Sequence, residues 1–176
     1  TVQSDRDFIV INDQMQTTQE HIYAIGDVTG KLPLAHVASS QATNVVEYIA
    51  GLNPPTLDYN FMPRATYCSP QVASIGITES QAKELGKNIS IGRFPLSANG
   101  KALGLGESSG FIKLVLDDDV GEILGVHMIG AEVTELLGEI AITKFLEGTN
   151  EELGFVTHPH PTISEALKEA ALAATN

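Results

Sequence analysis

Short apolar runs separated by polar turns occupy the first part of the chain. F-I-V-I-N at residues 8–12 and H-I-Y-A-I at 21–25 predict two short strands, joined by a polar stretch that holds Thr17 and Thr18. A loop, G-D-V-T-G-K at 26–31, comes next, and residues 34–50 (LAHVASSQATNVVEYIA) predict a helix with small side chains on one face. Gly51 and Asn53 stop that helix, and Pro54 with Pro55 marks a linker. Two strands and one helix bury too little surface to fold alone, so residues 1–53 are expected to be the tail of a larger α/β domain.

From residue 54 the rhythm changes. Residues 71–77 (QVASIGI) alternate as a half-buried strand does, and Thr78 with Gln81 makes a T-x-x-Q capping box for a helix that ends at Leu85, before Gly86. Further strands are predicted at 89–94, 111–116 and 122–128, the last two joined by a hairpin turn at 117–121. Helices at 132–146 and 162–174 close the chain, the second opened by Thr162 and Glu165 in another capping box. The expected fold of residues 54–176 is therefore α+β, an antiparallel sheet flanked by helices.

Composition narrows the function classes. At 43% hydrophobic and 18% charged, the 176 residues are those of a folded globular chain. Ten Lys and Arg against twenty-two Asp and Glu give a net charge of −12, which argues against nucleic acid and acidic membranes as partners. The single cysteine, Cys68, excludes an internal disulfide, so any redox dithiol must come from elsewhere. The polar start and the lack of an apolar run of about 18 residues predict neither a signal peptide nor a membrane span. The expected location is cytoplasmic, or the mitochondrial matrix in a eukaryote.

Four features invite chemical readings. Gly104, Gly106 and Gly110 approximate a dinucleotide fingerprint, but they run into a strand where the fingerprint must open a helix, so a turn is expected. Asp117, Asp118 and Asp119 suggest calcium, yet Gly121 and Met128 stand where a calcium loop needs other residues, and no metal is expected. In T-H-P-H-P-T, Pro159 and Pro161 bias His158 and His160 toward extended backbone. Glu165 can then fold back in one of two ways. It caps the amide of Thr162, or it accepts a hydrogen bond from His160, fixing the imidazole tautomer for proton transfer. A thiol, nucleophilic only when deprotonated, would suit such a base. Residue spacing leaves both roles open. Asp27, after a strand, is either a loop carboxylate or an acceptor for sugar or ribityl hydroxyls, beside a helix whose N-terminus favours negative charge.

Two of these segments together resemble a known family. T-T-x-x-x-I-Y-A-I-G-D-V, with P-L-A-H beginning six residues after Asp27, is similar to the second flavin-binding motif of the pyridine nucleotide-disulfide oxidoreductases. H-P-H-P-T-I-S-E, preceded by G-A-E-V-T-E-L-L-G-E, resembles the interface domain of the dihydrolipoyl dehydrogenases among them, more than that of glutathione or mercuric reductases. The resemblance implies that residues 1–53 complete an FAD-binding domain and that 54–176 form a dimerisation domain. It implies that Asp27 binds the flavin's ribityl chain and that Pro33, Leu34, Ala35 and His36 lie against its ring, with Pro33 where the family has methionine. His160 would be the acid–base residue and Glu165 its partner, both serving the redox centre of the other subunit of a homodimer. The implied reaction is oxidation of the dihydrolipoyl group of a carrier domain, in a 2-oxo acid dehydrogenase or glycine cleavage complex, with FAD and NAD as cofactors. This chain alone is expected to be inactive and to retain no flavin, and a purely structural, self-associating module is the alternative from another class.

Overall fold

In the computed structural model, which describes residues 1–174, the chain forms two units, Thr1–Tyr59 and a second that begins at Asn60. The first contains little sheet. β1 (Ser4–Asp5) and β2 (Phe8–Ile9) make a hairpin of two residues a side. The strand expected at 8–12 is thus cut to its first two positions, and that at 21–25 is reduced to a single bridge between Tyr23 and Gln16. The physical reasons are local: the chain turns after Asn12, whose carbonyl accepts the Met15 amide and whose side chain accepts those of Gln14 and Gln16, and His21 takes φ of 67°, a left-handed start to the second run. The helix is present as α1 (Ala35–Ile49), burying Val37, Gln41, Asn44 and Val45 at the spacing of one helical face. The units divide six residues later than the expected boundary at 53/54, because α1 holds the following segment. The Asn44 side chain donates to the Pro55 carbonyl at 2.8 Å, and that of Gln41 donates to the Tyr59 hydroxyl at 2.9 Å.

The second unit is built on five antiparallel strands: β3 (Arg64–Thr66), β4 (Gln71–Gly76), β5 (Ile89–Pro95), β6 (Phe111–Asp117) and β7 (Ile123–Gly130), in the order β3-β4-β7-β6-β5. The expected hairpin at 117–121 joins β6 to β7, with Gly121 at φ 71° and its amide donating to the Asp117 carbonyl. The expected α+β architecture is the one observed. Six helices in the described chain include five here: α2 (Glu79–Glu84), α3 (Gly100–Leu105), α4 (Leu137–Phe145), α5 (Asn150–Phe155) and α6 (Glu165–Leu172). Side chains of alternate parity sort the sheet into two faces. Ile112, Leu114 and Leu116 of β6 join Val126 and Met128 of β7 under α4 and α6, whose Leu137, Ile140, Ala166, Leu167 and Ala170 complete the main core. Val115 faces the other way and meets Ala82 of α2. Leu124 joins them although it shares the parity of Val126, because the β6–β7 register shifts between Val115 and Leu116 and leaves Leu124 as the extra residue.

Several elements depart from the sequence reading. β3, α3 and α5 were not foreseen, being short and set by caps: Asn99 caps α3, and Thr149 with Glu152 forms a complete capping box for α5. The helix expected at 132–146 starts at Leu137, because Glu132 takes φ 56° and residues 131–136 form turns. α6 starts at Glu165 instead of 162, for a reason given below. Two of the three glycines in the fingerprint-like run answer to the backbone. Gly106 ends α3 in the left-handed conformation, and a Cβ on Gly110 would lie 1.9 Å from the Ile129 carbonyl oxygen. The expected capping box at Thr78 and Gln81 is present, with the Gln81 amide 3.2 Å from the Thr78 hydroxyl. The last two residues of the segment assigned to 54–176 lie outside the described residues.

Candidate active site

α5 ends at Phe155, and Pro159 and Pro161 keep the chain out of helix until α6. Within this bridge the two histidines face opposite environments. His158 points inward, its side chain 7% exposed, and its Nε2 lies 2.7 Å from Oε1 of Glu139 on α4. Its Nδ1 is buried with no hydrogen-bond partner. A bare lone pair is tolerated there far better than a bare N–H, so Nε2 carries the proton and donates it to Glu139.

His160 points outward, its side chain 76% exposed. Its Nδ1 lies 2.9 Å and 3.2 Å from the two oxygens of Glu165. One of those oxygens, Oε2, also accepts the Thr162 amide at 2.9 Å. That amide first, and the His160 hydrogen bond second, hold the Glu165 carboxyl below its ordinary range. An ionised carboxylate only accepts, so Nδ1 of His160 carries a proton when the ring is neutral and Nε2 presents its lone pair to solvent. The two roles left open for Glu165 are both filled, by one carboxylate. The other half of the expected capping box is missing. The Thr162 hydroxyl donates to the Pro159 carbonyl at 2.8 Å and contacts the Ser164 hydroxyl at 3.0 Å, which leaves Ser164 to precede the helix.

In the first unit, Asp27 opens a 3₁₀ turn (Asp27–Thr29) and is exposed, while Pro33, Ala35 and His36 are exposed and Leu34 is half-buried at the start of α1. Leu34 is the N-cap of α1 and its side chain makes no capping bond, so this helix end offers its positive dipole to a ligand. The turn is positioned from within α1. The buried Gln41 side chain accepts the Gly26 amide at 2.7 Å, and the Thr29 hydroxyl donates to the Gly26 carbonyl at 2.8 Å. An exposed acceptor carboxylate and an uncapped helix end suit the ribityl hydroxyls and the ring of a flavin, so these residues fit that group.

The remaining sequence candidates find ordinary partners. Asp117 pairs with Lys87 at 2.9 Å, His127 Nε2 lies 3.0 Å from the Ile77 carbonyl, and Cys68 is exposed with its thiol 3.1 Å from the Pro70 carbonyl. Among the described residues no group of three His, Cys, Asp or Glu side chains could hold a metal ion. Sequence reasoning missed Glu139, Gln41 and Asn99. Gln41 had a signal, a polar residue on the apolar stripe of α1, whereas nothing in the spacing of Glu139 points to His158.

Residues 62–171 match the dimerisation domain of the pyridine nucleotide-disulphide oxidoreductases. The chain belongs to this family. Residues 2–42 match a second pyridine nucleotide-disulphide oxidoreductase domain, so both motifs of the resemblance fall within matched segments. Among curated relatives, the dihydrolipoyl dehydrogenase of Bacillus subtilis is 53% identical over 97% of this chain and 36% of its own length. That of Corynebacterium glutamicum is 52% identical over 96% of this chain, again 36% of the relative. The chain thus spans about a third of the length of the oxidoreductases it matches. Its fold is that of LpdA from Mycobacterium tuberculosis, with a TM-score of 0.91 at 24% identity over 97% of this chain and 38% of that one. The HOCl-induced flavoprotein disulfide reductase RclA from Escherichia coli, solved as a Cu(II) complex, gives 0.89 at 22% identity, over 97% of this chain and 39% of its own.

Proposed function

We propose that this chain supplies a dihydrolipoyl-oxidising flavoprotein with its dimerisation domain and its acid–base pair, His160 and Glu165. The observation that carries the reading is the contrast at one ring: Nδ1 is tied to Glu165 at 2.9 Å while the side chain is 76% exposed. Nε2 of His160 takes the proton of a dihydrolipoyl thiol, and the thiolate is the nucleophile for disulfide exchange. Glu165 stabilises the imidazolium that forms and holds the ring in the tautomer that accepts at Nε2. The dihydrolipoyl group reaches the site on a carrier domain, of a 2-oxo acid dehydrogenase or glycine cleavage complex. Asp27 and residues 33–36 hold the FAD, which supplies the electron-accepting chemistry when bound, with NAD as the final oxidant. The protein works as a homodimer through residues 54–176, each His160 serving its partner's redox centre, and this chain on its own is colourless and inactive.

The test is a chimera in which this chain replaces the matching third of the Bacillus subtilis enzyme. His160→Gln in the chimera is expected to lower dihydrolipoamide turnover by about 10²-fold or more, the range of a lost general base. Turnover within about twofold of the parent chimera would remove His160 from the chemistry and leave a structural, self-associating module.

A further inference from the structure

We propose that Asn99 is a positioning residue for the His160/Glu165 pair. It is 4% exposed, lies 63 residues from Thr162 in sequence, and uses both ends of its carboxamide. Oδ1 accepts the Ala102 amide at 2.9 Å and caps α3, while Nδ2 donates to the Thr162 carbonyl at 3.0 Å. The orientation is forced, because an amide N–H needs the oxygen and a carbonyl needs the NH₂ group.

Thr162 is the residue through which the hold acts. Its amide shares the Glu165 carboxylate with His160, its hydroxyl is bound to Pro159, and its carbonyl is bound to Asn99. Every polar atom of Thr162 is therefore fixed, and the only one fixed from outside residues 159–165 is the carbonyl. The start of α3 also lies beside the ring: a Cβ on Gly100 would stand 3.8 Å from Cε1 of His160. Asn99 thereby references an exposed imidazole to the buried start of α3. A chain segment made of prolines and turns has no hydrogen-bond ladder of its own to do so.

Asn99→Asp separates this role from capping. Aspartate still accepts the Ala102 amide but has nothing to donate to Thr162, and its charge repels that carbonyl. In the ¹⁵N-histidine-labelled chain at alkaline pH, the wild type is expected to show His160 mainly in the Nδ1–H tautomer. Asn99→Asp is expected to lower the ratio of Nδ1–H to Nε2–H by about fivefold, the worth of one hydrogen bond, while the Ala102 amide keeps its exchange protection. An unchanged tautomer ratio overturns the proposal. Should Asn99→Asp unfold α3, the wild type still decides, by the scalar coupling across the hydrogen bond from Asn99 Nδ2 to the Thr162 carbonyl carbon. Its detection supports the proposal and its absence overturns it.

The inference rests on the reading of His160 as the base, and the chimera keeps the two apart. Asn99→Asp is expected to lower chimera turnover about tenfold with little change in KM, as a misplaced catalytic group does. If His160→Gln abolishes turnover and Asn99→Asp does not alter it, the positioning role falls and the base stands. If His160→Gln itself is without effect, both fall.

Discussion

Gly92 on β5 lies directly against α6, the helix that begins with Glu165. A Cβ on Gly92 would lie 1.9 Å from the Ala170 carbonyl oxygen and 3.0 Å from the Ala174 Cβ, and real Cβ atoms stay beyond 3.0 Å. Gly92→Ala therefore drives α6 and β5 apart by about 1 Å, against backbone atoms that have no rotamer to escape into. Overpacking of this kind costs about 1–3 kcal/mol. For a domain of this size that lowers Tm by about 5–15 °C. The assay is thermal unfolding of wild type and variant followed by circular dichroism, at one protein concentration because self-association shifts Tm. The same displacement moves the first turn of α6, where Glu165 holds His160 at 2.9 Å, so the His160 tautomer ratio should shift with the melting temperature. A Gly92→Ala protein melting within about 1 °C of wild type would refute the packing argument.

Three further outcomes are expected. Glu79 accepts hydrogen bonds from Lys113 first and Lys83 second, and these hold its carboxyl at about 2 against an ordinary 4.5. Its folded value is depressed, so its contribution to stability is complete above 4.5 and is lost as pH falls toward 2; the difference in urea midpoint between wild type and Glu79→Gln should be present at neutral pH and vanish near pH 2. Glu139→Ala leaves the buried Nε2–H of His158 without its acceptor and should cost about 1–3 kcal/mol in urea unfolding, whereas Glu139→Gln keeps an acceptor and should cost less. Phe155 and Phe145 are 89% and 79% exposed, an unusual display for large apolar rings, and Phe155→Asp with Phe145→Asp should convert the proposed homodimer to a monomer by light scattering across a dilution series.

What could be read in advance follows from where the determining contacts lie. The hairpin of β6 and β7 and the helix α1 are fixed by periodicity and by turn residues within each segment, and both were legible. The strand at 21–25 failed because a five-residue apolar run needs a neighbour to pair with, and His21 turns the backbone away before one can form. α3 and α5 are not legible because six residues carry too little periodicity to register, and a cap such as Asn99 or Thr149 marks a helix only when an apolar stripe follows it. At the site, the pairing of His160 with Glu165 is a five-residue relation and could be posed from sequence. Its supports could not: Glu139 reaches His158 across nineteen positions and Asn99 reaches Thr162 across sixty-three. Such contacts are set by the packing of α4 and α3 and leave no mark in local spacing.

The opposite facing of His158 and His160 makes the identity of the reactive ring a matter of backbone course, not of side-chain chemistry. The two side chains are chemically the same and stand two positions apart, where a regular extended strand would put both on one face. The bend of the backbone at His160 and Pro161 is what lets one reach Glu139 in the interior and the other Glu165 at the surface. A related chain that bent at another point between Phe155 and Thr162 could keep the H-P-H-P string intact and still send each imidazole to the wrong side. A sequence comparison that counts the string as present would score such a protein as complete, although its anchor would stand in solvent and its base would be locked away.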